Sequence, residues 1–329
     1  MEKKYKNFCY VDTVYSLFIF LLLKGTKNNY YFFRKDMYFK LKNISIKDKL
    51  LLLEEPKKNK KSIIKFWWNL YKYYNLLDKV CKKLEIKKIY LQDHIPIAQY
   101  FLNNYDCFLL EDGEVNYNLF VLKNIDTKVK MAKLKYRILK KIKKKYPIFG
   151  ISDRILKIYL TGIKEIPIII KNKVEIINLE KKWKELEFEE KKNILQIFNI
   201  DVKVWSSIKW KEKVLLIPQP LSEDKILLEE EKIKLYKKIT SDILEENLVI
   251  KPHPREKTMY RKIFPKSIVL NQNFPLEILM LLNIRVKEVR TLFSTAAYNF
   301  IGKTKVKISG TEISYKLIKK FGIIEKNEL

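Results

Sequence analysis

Residues 8–33 read FCYVDTVYSLFIFLLLKGTKNNYYFF, and this stretch decides the fold. Phe8-Cys9-Tyr10 is short, apolar and aromatic, the pattern of a buried strand, and Asp12 or Thr13 then offers a side-chain oxygen to cap an apolar helix over residues 14–23. Residues 30–33 return as a second strand. The same order recurs with Ile89-Tyr90-Leu91 as strand, residues 95–102 as helix and residues 107–110 as strand. Strands that alternate with helices imply crossover connections and a parallel sheet, the α/β class.

Moving outward, residues 183–198 turn into a charged, helical stretch, and a new series opens at Val214-Leu215-Leu216-Ile217. The expected boundary divides residues 1–185 from residues 186–329. In the second half residues 248–250, 267–270 and 291–293 read as strands, with helices over residues 227–239 and 276–282 between them. A length of 329 residues with 47% hydrophobic content suits two medium α/β domains, each with its own core. No glycine-rich G-x-G-x-x-G fingerprint or P-loop occurs among the seven glycines.

The formal net charge is +30, yet only seven of the 68 basic residues are arginine. Readers of bases and phosphates enrich arginine for its planar fork, so a lysine excess of this kind reads as solvated faces rather than a nucleic-acid surface. Residues 128–145 carry ten basic residues and no acidic one, with Met131, Leu134, Ile138 and Ile142 at helical spacing. That stripe beside lysines fits a helix lying on an anionic membrane, and equally a surface helix packed on the first domain. Cys9, Cys81 and Cys107 are far apart, and with two histidines in the chain they suggest neither disulfides nor a zinc site, which fits a reducing, cytoplasmic compartment. The apolar run at residues 14–23 is too short to span a bilayer, leaving peripheral contact with the inner membrane as the membrane option.

In open α/β sheets ligands gather beyond the carboxyl ends of strands. Four polar segments follow apolar runs in this way. Glu111-Asp112-Gly113 sets two carboxylates before a residue able to turn sharply. Lys251-Pro252-His253-Pro254-Arg255-Glu256 holds an imidazole between two prolines with positive charge on either side, an arrangement suited to an anion. Gln219-Pro220-Leu221-Ser222-Glu223-Asp224 leads into a helix that Ser222 or Asp224 would cap. Ser294-Thr295-Ala296-Ala297 places two hydroxyls where a helix would open, a cradle for phosphate or an ordinary cap.

In their order these segments resemble the bacterial sialyltransferases, which carry an acidic-Asp-Gly motif, a His-Pro motif and a late Ser-Ser/Thr motif. The fuller likeness is to the lipooligosaccharide sialyltransferases, the enzymes of glycosyltransferase family 52. It includes the Pro-His-Pro-Arg stretch, the Phe-Ser-x-Ala-Ala-like segment, the Gln-Pro-Leu-Ser-Glu-Asp loop and the opening Phe-Cys-Tyr strand, and runs from about Asn7 to Phe300. The resemblance implies a GT-B fold, two Rossmann-like domains facing a cleft, with the acceptor side in the first and CMP-sugar binding in the second.

It also implies the chemistry: N-acetylneuraminic acid passes from CMP-sialic acid, with inversion, to a terminal galactose of lipooligosaccharide or a similar surface glycan. Asp224 is the implied general base, with Asp112 as the alternative. His253 assists departure of the phosphate, with Pro254, Ser294 and Thr295 around it, and Glu277 is the position for the ribose hydroxyls. The donor carries one phosphodiester charge, and no two aspartates are spaced D-x-D, so no metal and no further cofactor is expected. A transferase with another donor sugar is the competing enzyme reading, and a basic nucleic-acid-binding protein the competing binding one. The acceptor linkage and the oligomeric state, a homodimer included, are open at this level.

Overall fold

The computed structural model describes residues 5–41, 50–53, 63–95, 97–125 and 146–329. The chain forms two compact units, Met1–Ile197 and Phe198–Leu329.

The first unit is built on a seven-stranded parallel sheet. Its strands are β1 (Asn7–Tyr10), β2 (Asn29–Arg34), β3 (Leu50–Leu53), β4 (Lys88–Leu91), β5 (Asp106–Leu110), β6 (Ile155–Leu160) and β7 (Val174–Ile176), in the order β3-β2-β1-β4-β5-β6-β7. Helix α1 (Val14–Lys24) follows β1 as expected. The Thr13 hydroxyl accepts the Ser16 amide at 3.2 Å, so one orphan donor of the first turn is satisfied. Nearly all of α1 is buried, and a helix that is apolar on every side needs cover beyond the sheet.

That cover moves the domain boundary. Trp183, from a helix at Leu179–Glu185, sets its ring 6.5 Å from that of Phe18, and Glu190, from a helix at Phe188–Ile197, accepts the Thr26 amide. Both charged helices therefore belong to the first unit, and the division falls after Ile197 rather than after residue 185.

The second unit carries β8 (Val214–Leu216), β9 (Leu248–Ile250), β10 (Ile268–Val269), β11 (Glu288–Thr291), β12 (Lys305–Ile308) and β13 (Asn327–Glu328), ordered β10-β9-β8-β11-β12-β13. All its pairings are parallel except β12 with β13. One strand lies elsewhere than expected: β11 occupies Glu288–Thr291, whereas the apolar pattern points to residues 291–293. Charge hides it. The Arg290 guanidinium is buried against Glu288, the Asp242 carboxylate and the Ile239 carbonyl at 2.7 Å, so an ion-paired strand interior reads in sequence as a polar segment. Strands β3, β6, β7, β12 and β13 are likewise not among those expected from the sequence.

The other expected helices shift by one to three residues at their starts, to Ala98–Asn104, Glu229–Ile239 and Glu277–Leu281. The aromatic segment at residues 66–74 lies on a helix at Ile63–Lys83, where Tyr74 packs 5.3 Å from the Tyr100 ring as part of the core. The basic stretch at residues 128–145 lies outside the described residues. Among the described residues no helix is long and apolar enough to cross a membrane.

Candidate active site

In the second unit, β9, β8 and β11 are neighbours, and the loops at their carboxyl ends hold Asp224, His253, Pro254, Ser294 and Thr295. The Gln219–Asp224 loop after β8 is a tight turn: Asp224 donates its amide to the Pro220 carbonyl at 2.9 Å, and Lys225 donates to Ser222 at 3.0 Å. Neither Ser222 nor Asp224 caps the following helix, which starts at Glu229 with its Leu228 amide held by Glu231. Asp224 is thus exposed at a strand end without a capping duty. Both its oxygens are taken by the Arg255 guanidinium, one at 3.1 Å.

The Pro252–Lys257 loop after β9 holds His253. Its Nδ1 accepts the Arg255 amide at 3.2 Å, which fixes the ring and leaves the proton of the neutral imidazole on Nε2. Arg255 therefore joins the two loops, its amide on His253 and its side chain on Asp224. The association of Asp224 with His253 rests on this residue, which the sequence marks only as a positive charge. Just beneath, Lys251 is buried, with Nζ donating to the Pro252 and Gln272 carbonyls at 3.0 and 3.2 Å and lying 4.5 Å from the Phe274 ring. Burial brings its ammonium down to about 7, against the opposing pull of Glu277 and Glu256.

Ser294 and Thr295 open a 3₁₀ helix at Thr295–Phe300 rather than the α-helix expected, and the Ser294 side chain makes no cap bond. The segment is aligned by its neighbours: the Ser294 amide donates to Thr291 Oγ1 at 3.1 Å, and the Phe293 amide to Gln219 Oε1 at 3.2 Å. The Gln219 contact ties this loop to the one that carries Asp224. His253 and Ser294 follow β9 and β11, the strands that flank β8 and lie two strand spacings, about 10 Å, apart. Glu277, half-buried, accepts the Asn299 side-chain amide at 3.2 Å and so joins the same 3₁₀ segment. Pro254 turns the loop between His253 and Arg255.

A hollow of about 720 Å³ lined by Trp205, Trp210, Leu282 and Arg285 lies at the opposite end of this sheet, before β8 and β11 begin. It is away from the strand ends where ligands of such sheets gather.

In the first unit the two adjacent carboxylates part company. Glu111 is completely buried and accepts bonds from the Thr161 hydroxyl at 2.8 Å, the Thr161 amide, Tyr117 at 3.0 Å and Tyr15, so it holds β5, β6 and α1 together. Asp112 instead meets the imidazole of His94, with Nε2 at 3.2 Å from its carboxylate. Burial raises the Asp112 carboxyl above its ordinary value, and His94, Thr13 and Gln92 oppose the rise. His94, three residues past the end of β4 where Asp112 is two past the end of β5, escapes the strand-end reading because neither a basic residue nor a proline adjoins it.

The His94 ring is set from behind. It stacks on Phe149, centroids 5.1 Å apart, and the backbone of that turn is pinned because Asp93 accepts the Phe149 and Gly150 amides at 2.8 Å each. Burial pushes the Asp93 carboxyl up to about 6, the two amides opposing. A carboxyl that holds its proton more tightly when folded contributes most below its unfolded value near 4, and that contribution is lost as pH rises toward about 6. The first unit should therefore lose about 3 kcal/mol across that window, and Asp93→Asn should flatten the slope. Urea unfolding followed from pH 4 to 7 checks this; parallel slopes in the two proteins would contradict it.

The comparisons with known proteins agree with this architecture. A family model described as Glycosyltransferase family 52 matches residues 17–317. A Haemophilus influenzae protein described as uncharacterized is 42% identical over 243 residues, 74% of each chain. Among solved structures the chain is similar to the α/β-galactoside α-2,3-sialyltransferase of Photobacterium phosphoreum, with TM-score 0.53, 15% identity and coverage of 96% and 95% of the two chains. It is also similar to a 2,6-sialyltransferase of Photobacterium sp. JT-ISH-224 solved with CMP and lactose, with TM-score 0.55, 12% identity and coverage of 91% and 70%. At these identities the structural likeness speaks for the fold, which is GT-B, and the family match spans most of the sequence. The chain belongs to glycosyltransferase family 52.

Proposed function

We propose that this glycosyltransferase is an inverting sialyltransferase that takes N-acetylneuraminic acid from CMP-sialic acid and delivers it to a terminal galactose of a surface glycan such as lipooligosaccharide. The observation that carries the reading is the Asp224–Arg255–His253 association at the ends of β8 and β9, a carboxylate and an imidazole N–H fixed by one arginine. As the bond from the sialyl anomeric carbon to the CMP phosphate oxygen breaks, negative charge gathers on the phosphate, and the Nε2–H of His253 is the donor for it. Ser294 and Thr295 supply hydroxyls to the same phosphate, Pro254 shapes its rim, and Glu277 takes the ribose hydroxyls. The acceptor hydroxyl attacks the opposite face, and its proton passes to Asp224. Each Asp224 oxygen gives Arg255 one lone pair and keeps another for the acceptor.

The first unit takes the acceptor in this reading. Asp112 and His94 lie at its strand ends, and Asp112 is the alternative base. Contact with an anionic membrane through residues 128–145 would bring a lipid-linked acceptor to the enzyme.

The test is to incubate purified protein with a galactose-terminated acceptor and either CMP-sialic acid or UDP-sugars. Release of CMP with a sialylated product is expected, and because one phosphodiester charge can be met by protein donors, EDTA should leave the rate unchanged. UDP release without CMP release would move the reading to another donor. Loss of turnover in EDTA restored by magnesium would contradict the metal-free mechanism.

A further inference from the structure

Behind the Asp224–Arg255–His253 association lies a buried ammonium that the chemistry above does not use. Lys232, on the helix Glu229–Ile239, is fully shielded from solvent. Its Nζ lies 2.9 Å from Glu223, 3.2 Å from Glu229 and 3.4 Å from Glu256. A lysine almost never enters an interior unless it is paired, and here it meets carboxylates from both active-site loops.

The two loop carboxylates, Glu223 and Glu256, are each fastened next to a residue of the Asp224–Arg255–His253 association. Glu223 immediately precedes Asp224, and its second oxygen accepts the Lys257 amide of the opposite loop at 2.6 Å. Burial pushes the Glu223 carboxyl up, but the Lys257 amide and the Lys232 ammonium outweigh it and bring it down to about 2, so it is a fixed anion. Glu256 immediately follows Arg255, donates its own amide to the His253 carbonyl at 2.9 Å, and accepts the Tyr260 hydroxyl at 2.8 Å. Tyr236, one turn along the helix from Lys232, accepts the Gln219 amide at 2.7 Å, which fixes the start of the Asp224 loop. One helix thus grips both loops from below.

We infer that Lys232 is the positioning residue of the active site, a buried cation whose bonds to Glu223 and Glu256 set the spacing between Asp224 and His253. This rests on the roles proposed for those two residues. Lys232 touches neither donor nor acceptor, so it acts on geometry alone. A base and a leaving-group donor on separate loops need a common fixture, because displacement by about 1 Å costs on the order of 10²-fold in rate.

The inference is tested with Lys232→Met. The variant should lose about 10- to 100-fold in kcat while CMP affinity by calorimetry stays within about threefold, because the nucleotide contacts remain and the alignment does not. In an Asp224→Asn background the same substitution should cost less than it does alone, since the share of the loss that comes from a misplaced base is already gone. A merely structural loss would multiply in both backgrounds. Independently of any activity, amide hydrogen exchange at residues 219–224 and 253–257 should quicken together while residues 214–216 and 248–250 keep their protection. If Lys232→Met does not fold, the charge-balanced pair Lys232→Gln with Glu256→Gln should show the same kcat loss and exchange pattern. Normal kcat, full additivity with Asp224→Asn, or unchanged exchange in both loops would each overturn the positioning role. An inactive wild-type protein with the exchange result intact would instead count against the transfer reaction and leave the fixture standing.

Discussion

Asp224→Asn should lower kcat by a factor on the order of 10²–10⁴ while CMP binding stays nearly intact, the largest loss expected of any single substitution here. The amide keeps the size of the side chain and can still accept from Arg255, but it cannot take a proton from the acceptor. The structure sharpens the choice among neighbouring carboxylates. Glu223 is locked by Lys232 and the Lys257 amide, and Glu111 by Thr161, Tyr117 and Tyr15, so neither is a base in waiting. Asp224 and Asp112 are the two whose carboxylates reach the strand-end surface, the first against Arg255 and the second against His94. Steady-state kinetics on Asp224→Asn and Asp112→Asn decide between them. Normal turnover in the first with a dead second would transfer the role to the first unit.

The second large effect is expected at His253. His253→Ala should lower kcat by about 10²- to 10³-fold, the cost of removing one donor aimed at charge that develops in the transition state. Because the Arg255 amide occupies Nδ1, the donor in the proposed reaction is Nε2, and His253→Gln offers a comparable N–H. If a hydrogen bond suffices, the glutamine variant should keep most of the rate that the alanine variant loses. If proton donation is needed, both variants should fall equally, and the alkaline limb of the kcat profile should vanish with the imidazole. A His253→Ala enzyme within about threefold of wild type would remove His253 from the mechanism.

Much of this organisation is legible from local pattern. The segment at residues 8–33 announces strand, capped helix and strand because Phe8-Cys9-Tyr10, Thr13 and the apolar run each follow a one-dimensional rule, and the structure returns all three. The second sheet is read from Val214-Leu215-Leu216 and Leu248-Val249-Ile250 for the same reason. Where the reading slips, charge in the interior is the cause. Glu288 and Arg290 sit within β11, paired with each other and with Asp242, and so the strand lies three residues earlier than its apolar tail suggests.

The sequence by itself determined the two α/β halves, the strand-end position of Asp112, Asp224, His253 and Ser294, and the motifs that mark the family, because strand periodicity, caps and proline-bounded loops act over a few residues. Only the tertiary structure decided which of those groups are partners. That Arg255 joins Asp224 to His253, that His94 faces Asp112 over Phe149, and that Lys232 is buried among Glu223, Glu229 and Glu256 depend on strand order, since β8 and β9 are adjacent in space while 31 residues separate Asp224 from Arg255. A lysine in a run of glutamates reads in one dimension as a solvated helix face. It becomes an interior cation only when the fold closes a second loop over it, because an ammonium is stable out of water only where carboxylates from distant parts of the chain meet it.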